Sequence, residues 1–183
     1  MSKPSFVIVI VEDERHEMLV RRYLRKYGMG PHQVTYVRSP SGAGSAEQWV
    51  RSRFAKEVSA YRNRRARAAT ALIVVIDADA HTVQGRLTQL SGELKQSGIQ
   101  AITSGEQVAR LVPKRNVETW ILCLHQEPVD EETDYKGRRD DWNELIPQAA
   151  ATLFQWTRAK AELPNHCVAS LRTGIKELNR LTF

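Results

Sequence analysis

The stretch Leu72-Ile73-Val74-Val75-Ile76-Asp77-Ala78-Asp79 sets five consecutive large aliphatic residues directly before two acids. A run without alternation of polar and apolar residues forms a strand buried on both faces, the kind found inside a parallel sheet covered by helices. A second such run, Phe6–Val11, stops in the same way at Glu12-Asp13-Glu14. Two doubly buried strands that end in acids predict carboxylates gathered at one edge of a sheet.

Between these runs, Met18, Leu19, Tyr23 and Tyr27 recur at helical spacing among Arg15, Arg21, Arg22, Arg25 and Lys26, and Gly28 and Gly30 close the pattern. Residues 33–38 alternate enough for a second strand, and residues 39–45 are a loop by composition. Their glycines lack the spacing of a phosphate-binding loop, so a linker is expected. Residues 46–69 predict a long helix with Val50, Phe54, Val58 and Tyr61 on one face. It finishes in Arg62, Arg64, Arg65 and Arg67, which either complement the helix dipole or touch nucleic acid.

Beyond Asp79 the patterns predict a helix over 83–96 and short strands over 99–103 and 108–112. Asn116 then caps a helix over 117–124, and helices over 141–156 and 165–181 close the chain. Strands alternating with helices imply an α/β fold with an open, mainly parallel sheet flanked by helices, plus a C-terminal helical extension. The expected division is residues 1–125 as the α/β domain and 126–183 as an acidic loop and helices packing on it. Val168, Leu171, Ile175 and Leu178 fit core packing, with a homodimer seam as the alternative. Trp49, Trp120, Trp142 and Trp156 sit in helical apolar patterns and read as core or interface residues.

At 183 residues, with 42% hydrophobic and 26% charged residues, the chain has ordinary globular usage and the size of one domain. Its longest apolar runs are far shorter than the roughly 20 residues of a membrane helix, so a soluble, cytoplasmic protein without a membrane partner is expected. Cys123 and Cys167 belong to no metal-binding spacing and predict two buried, reduced thiols. The net charge of +6 is uneven: residues 1–70 hold 14 Lys and Arg against 6 Asp and Glu, while the rest is slightly acidic. Such a basic half attracts polyanions without conferring sequence recognition.

Ligands of open parallel sheets bind beyond the carboxyl ends of the strands, where Glu12 and Asp77 fall. Asp79, two residues further, projects to the same side if the extended backbone continues. Crowded carboxylates repel unless a proton or cation joins them, and hard oxygen ligands suit Mg²⁺ or Mn²⁺. Glu118 lies in the first turn of the Asn116-capped helix, off its apolar face, where an acid also favours the helix dipole. His16 and His81 each follow an acid by four residues, but solvent-facing positions are the simpler expectation. Arg15 is one of many arginines able to meet a phosphate. Residues 127–144 carry eight acids and read as a solvated loop or a gate that repels nucleic acid.

A hydrophobic strand then Glu12, followed 65 residues later by a hydrophobic strand then Asp77-x-Asp79, resembles the Toprim domain of topoisomerases, primases and overcoming-lysogenization-defect nucleases. Pro113-Lys114-Arg115-Asn116-Val117-Glu118-Thr119-Trp120 resembles a stretch of small bacterial Toprim-like proteins, some encoded beside ATPases in phage-defence loci. The likeness covers residues 5–125. It implies a Mg²⁺-dependent nuclease acting on DNA or RNA, with Glu12, Asp77 and Asp79 as metal ligands and catalytic acids and Glu118 as an accessory catalytic residue. An ATPase partner is implied in the same way. The backbone of the nucleic acid is expected on Arg21, Arg22, Arg25, Arg62, Arg64, Arg65 and Arg67. One departure is Asp13, where Toprim proteins commonly carry glycine. The chain is too short for a topoisomerase or primase. The competing expectations are a noncatalytic binding module of the same fold and a receiver domain phosphorylated on Asp77.

Overall fold

The computed structural model describes residues 3–40, 42 and 44–183; Ser41 and Ala43 of the expected linker lie outside the described residues. The two aliphatic runs form β1 (Phe6–Val11) and β3 (Thr70–Val75), which pair in parallel at the centre of a four-stranded sheet. β2 (Val34–Arg38) flanks β1 and β4 (Val108–Leu111) flanks β3, giving the all-parallel order β2-β1-β3-β4. The most apolar strands take the positions covered on both faces, as their sequences require.

Successive strand residues point to opposite faces and enter different cores. Val7, Val9, Val11, Ala71, Ile73 and Val75 pack under α1 (Glu14–Lys26), α4 (Val117–Leu124), α5 (Trp142–Trp156) and α6 (Ala169–Leu178). Ile8, Ile10, Leu72, Val74 and Ile76 pack under α2 (Ala46–Arg65) and α3 (Val83–Gln96). Because α1 lies on one face and α2 on the other, the chain changes face between β1 and β3. Their carboxyl ends frame the crevice where such a sheet offers room for a ligand. Among the described residues no helix is long and apolar enough to cross a membrane.

Some expectations need correction. Residues 99–103 form no strand: the carbonyls of Gln100 and Ala101 accept from Arg62, and the Thr103 N–H donates to Glu106. Side chains thus satisfy the backbone groups that a sheet neighbour would have taken. The helix expected over 165–181 is shortened to α6, and the one over 46–69 ends at Arg65. Leu171, Ile175 and Leu178 are buried in the core, Trp120 and Trp142 likewise, while Trp49 and Trp156 are only partly covered. Both cysteines are free and buried.

α6 is fixed by one close approach. The Trp120 indole donates through Nε1 to Ser170 Oγ at 2.7 Å, and its six-membered ring lies against the Cα of Gly174. A methyl group at 174 would collide with that ring, which is fully buried and has no room to turn. Gly174→Ala is therefore expected to destabilise the fold by about 1–3 kcal/mol, although alanine alone favours a helix by about 1 kcal/mol. Urea unfolding of the two proteins checks this, and a stabilised variant would contradict the packing.

Candidate functional site

Asp77 follows β3 directly and is fully buried, an arrangement that demands compensation for its charge. His16 supplies it from the first turn of α1. Its Nε2 lies 3.0 Å from Asp77 Oδ1, and its Nδ1 lies 2.7 Å from Asp13 Oδ1. An ionised carboxylate only accepts hydrogen bonds, so a ring held between two of them carries a proton on each nitrogen. Burial alone would lower the His16 pKa, but the charge of Asp77 and the bonds to Asp13 and Asp77 hold it well above the ordinary value. The expectation of a solvent-facing His16 is thus corrected: the ring is fully buried.

Asp13 also explains its own presence. Its side chain caps α1 by accepting the His16 backbone N–H at 3.1 Å. Burial would raise its pKa, yet the His16 hydrogen bond and charge pull it well below the carboxylate range. Glu12 lies on the same crevice, where its Oε1 accepts the Asp77 backbone N–H at 2.6 Å. Burial, then the nearby Asp77 charge, push Glu12 up to about 7. Glu12 and Asp13 also line an open cavity of about 380 Å³ shared with Glu14, Arg38 and Ser39.

Glu118 stands on α4, which is buried along its whole length, so the expectation that this acid lies off the core is corrected. Arg15 Nη1 donates to Glu118 Oε1 at 2.5 Å, while burial raises the Glu118 pKa. Asn116 caps α4 as expected and also donates to Asp134 at 2.8 Å. That second bond ties down the acidic loop, whose Lys136 places Nζ 3.4 Å from Asp77 Oδ2. Burial would lower the Lys136 pKa, but Asp77, Glu118, Asp13 and Asp79 together raise it. The loop is therefore more than a solvated connection.

Asp79 does not continue the strand. Its φ is 51°, a left-handed conformation that costs a non-glycine residue about 1 kcal/mol or more, and its half-exposed carboxylate faces Arg86 Nη2 at 3.5 Å. Arg86, on α3, is almost wholly buried and holds the turn together. Its Nε donates to the Asp77 carbonyl at 2.9 Å, and its Nη1 binds Glu47 and Gln89. Five carboxylates (Glu12, Asp13, Asp77, Asp79 and Glu118) thus meet four cations, Arg15, His16, Arg86 and Lys136.

Two carboxylate oxygens in this cluster, Asp77 Oδ2 and Glu118 Oε2, are buried without any hydrogen-bond partner. Among the described residues no group of three His, Cys, Asp or Glu side chains is arranged to hold a metal ion. Mg²⁺ nonetheless commonly takes only one or two carboxylates and completes its shell with water and phosphate. Asp77 Oδ2, which meets only the Lys136 ammonium, and Glu118 Oε2 are two such carboxylate donors.

The expected nucleic-acid contacts fare differently. Arg62 is consumed by both oxygens of Glu106 and by two carbonyls, and Arg65 pairs with the same acid. Arg64 covers the Phe6 ring and Arg67 is exposed. All four lie where α2 returns to the start of β3, roughly 20 Å along a six-residue strand from Asp77. Arg21 pairs with Glu17 and covers Tyr36; Arg22 and Arg25 are exposed. His81 is an exposed turn residue. Lys136 and Arg86 are the site residues that the sequence reading missed. No local signal marks either one, since both act through contacts formed only by folding.

Compared with known proteins, the chain matches no protein family, no curated protein and no solved structure.

Two outcomes follow from the cluster. Glu12 keeps its proton in the fold between about pH 4.5 and 7, where the unfolded chain has lost it, so stability falls as the pH rises through that window. His16 acts in the same direction from about 6.5 upward, its contribution being lost only near its high folded pKa. Glu12→Gln is expected to flatten the decline below pH 7 by up to roughly 3 kcal/mol while leaving the part above it. Urea unfolding at stepped pH measures both; wild-type stability rising from pH 5 to 7 would contradict the assignment. Arg86→Met, which strips the buried partner from Glu47 and two carbonyls, is expected to cost about 3–5 kcal/mol in the same experiment.

Proposed function

We propose that the chain is a Toprim-like, divalent-metal-dependent nuclease that hydrolyses phosphodiester bonds of DNA or RNA. The observation that carries this reading is a pair of buried carboxylate oxygens at the crevice between β1 and β3 that accept no hydrogen bond, Glu118 Oε2 and Asp77 Oδ2, the latter facing only the Lys136 ammonium. Asp77 and Glu118 would hold the metal, with Glu12 nearby but outside the ligand set; when bound, the metal would polarise the phosphate and lower the pKa of a coordinated water. Asp79, engaged by Arg86, would shape the turn and contribute charge from outside.

The remaining roles belong to the chain's own groups. Glu12, ionising near neutrality and open to the adjoining cavity, is suited to take a proton from the attacking water. Lys136, partly exposed at the rim, offsets negative charge on a bound phosphate. His16 holds the Asp77 side chain in place. Arg15, partly exposed, binds Glu118 and lies over the Trp142 ring, which orients Glu118 toward the crevice.

A noncatalytic module of the same fold is the second reading, favoured by the four cations that already offset most of the acidic charge. A phosphoacceptor receiver has less support, because Asp77 is fully buried and faces His16 and Lys136.

The test is incubation of wild type and Asp77→Asn with single- and double-stranded DNA and RNA in Mg²⁺, Mn²⁺ and EDTA. Cleavage by wild type with metal is expected, falling roughly 100-fold or more in the variant and vanishing with chelator. Cleavage that survives both treatments eliminates the proposal. Binding without cleavage under every condition selects the noncatalytic module.

A further inference from the structure

The end of the molecule far from the carboxylates holds a second concave site. There α1, α5 and α6 all terminate, and their last turns enclose a cavity of about 790 Å³ together with the C-terminal segment. Its wall is aromatic. The Tyr27 ring lies edge-on to Phe154 at 4.8 Å and tilted over Phe183 at 4.7 Å, and Trp156 adds another ring. All of these rings are only partly buried.

The charged residues of the wall are Arg158, Lys160 and Lys176, all exposed, and no Asp or Glu lines it. Part of this positive charge answers the three helix C-termini, each equivalent to about half a negative charge. The side chains of the wall thus offer an anion three cations and no carboxylate. The floor carries hydroxyls: the buried Thr157 Oγ1 lies 3.2 Å from Tyr27 OH.

A ligand matched to this cavity is flat and apolar at one end and anionic at the other. Aromatic side chains give planar bases a face or edge to pack on, and Arg and Lys bind phosphate through charge-assisted hydrogen bonds. The volume lies within the range of small-molecule sites. We propose that this cavity binds a free nucleotide, with the base against Phe154, Trp156 and Phe183 and the phosphate on Arg158 and Lys160. The site is separate from the carboxylate cluster and stands whether or not the chain is a nuclease.

The test titrates the full-length protein with AMP, ATP, adenosine and pyrophosphate, followed by calorimetry and tryptophan fluorescence. Saturable binding of AMP or ATP is expected, with adenosine and pyrophosphate each weaker. The exposed pair Arg158→Ala and Lys160→Ala, made together and checked for folding by circular dichroism, is expected to weaken nucleotide binding about tenfold or more. Phe183→Ala is expected to weaken it as well, and Lys56→Ala, an exposed residue of α2 outside the cavity, to leave it unchanged. The proposal is overturned by wild type that shows no saturation below about 10 mM, or by a double variant that binds like wild type. It is also overturned if pyrophosphate alone binds as tightly as ATP, which would mean an undiscriminating basic surface. Loss of binding in Asp77→Asn with retention in the double variant would put the nucleotide at the carboxylates instead.

Discussion

A buried carboxylate at the end of a central strand is tolerable only with a cation beside it, and the bond from His16 to Asp77 meets that condition. The same imidazolium reaches Asp13, whose other task is to start α1. One ring therefore joins the charge balance of β3 to the capping of the first helix. Removing either partner would leave an ion stranded in a dry environment, which is far more costly than never burying the pair. The carboxyl edge of the sheet is built around this constraint, with Arg86 clamping the turn from the α3 side and Lys136 reaching in from the loop before α5.

The C-terminal part of the chain is consequently integral to the crevice. α4 delivers Glu118, and its cap Asn116 anchors the loop that carries Lys136. α5 and α6 cover the same sheet face as α1 and α4, so the residues around Asp77 are held by elements drawn from most of the chain. Fully buried polar groups held in this way are fixed in position before any ligand arrives, which is what electrostatic catalysis and tight recognition both require.

The sheet and its two layers were legible because unbroken aliphatic runs admit few alternatives, and helix 83–96 has the expected bounds, with Thr82 capping it and Gly98 following it in a left-handed conformation. Residues 99–103 misled because Ile99 and Ile102 supply apolar side chains, while the backbone's real partners are Glu106 just beyond and Arg62 and Arg180, distant in sequence. The acids Glu12 and Asp77 were readable from their place after buried strands. Their companions were not. A lysine in an acid-rich loop and an arginine in a polar helix carry no local mark of burial, and the turn at Asp79 depends on a guanidinium supplied by another element. The arginine run 62–67 was legible as a cluster but not as a location, since only topology reveals which end of the sheet a helix returns to.

That location bears on how the proposed nuclease would meet a long polyanion. With Arg25, Lys26, Arg64 and Arg67 exposed near the strands' beginnings and the carboxylates past the ends of β1 and β3 largely offset by their own cations, the unbalanced positive charge lies toward the start of the strands. In the field of an anionic polymer such a body experiences a torque that turns its arginine-rich end forward and its charge-balanced crevice away. First capture and productive engagement would then be distinct orientations, with a reorientation between them that added salt makes easier by screening the initial grip.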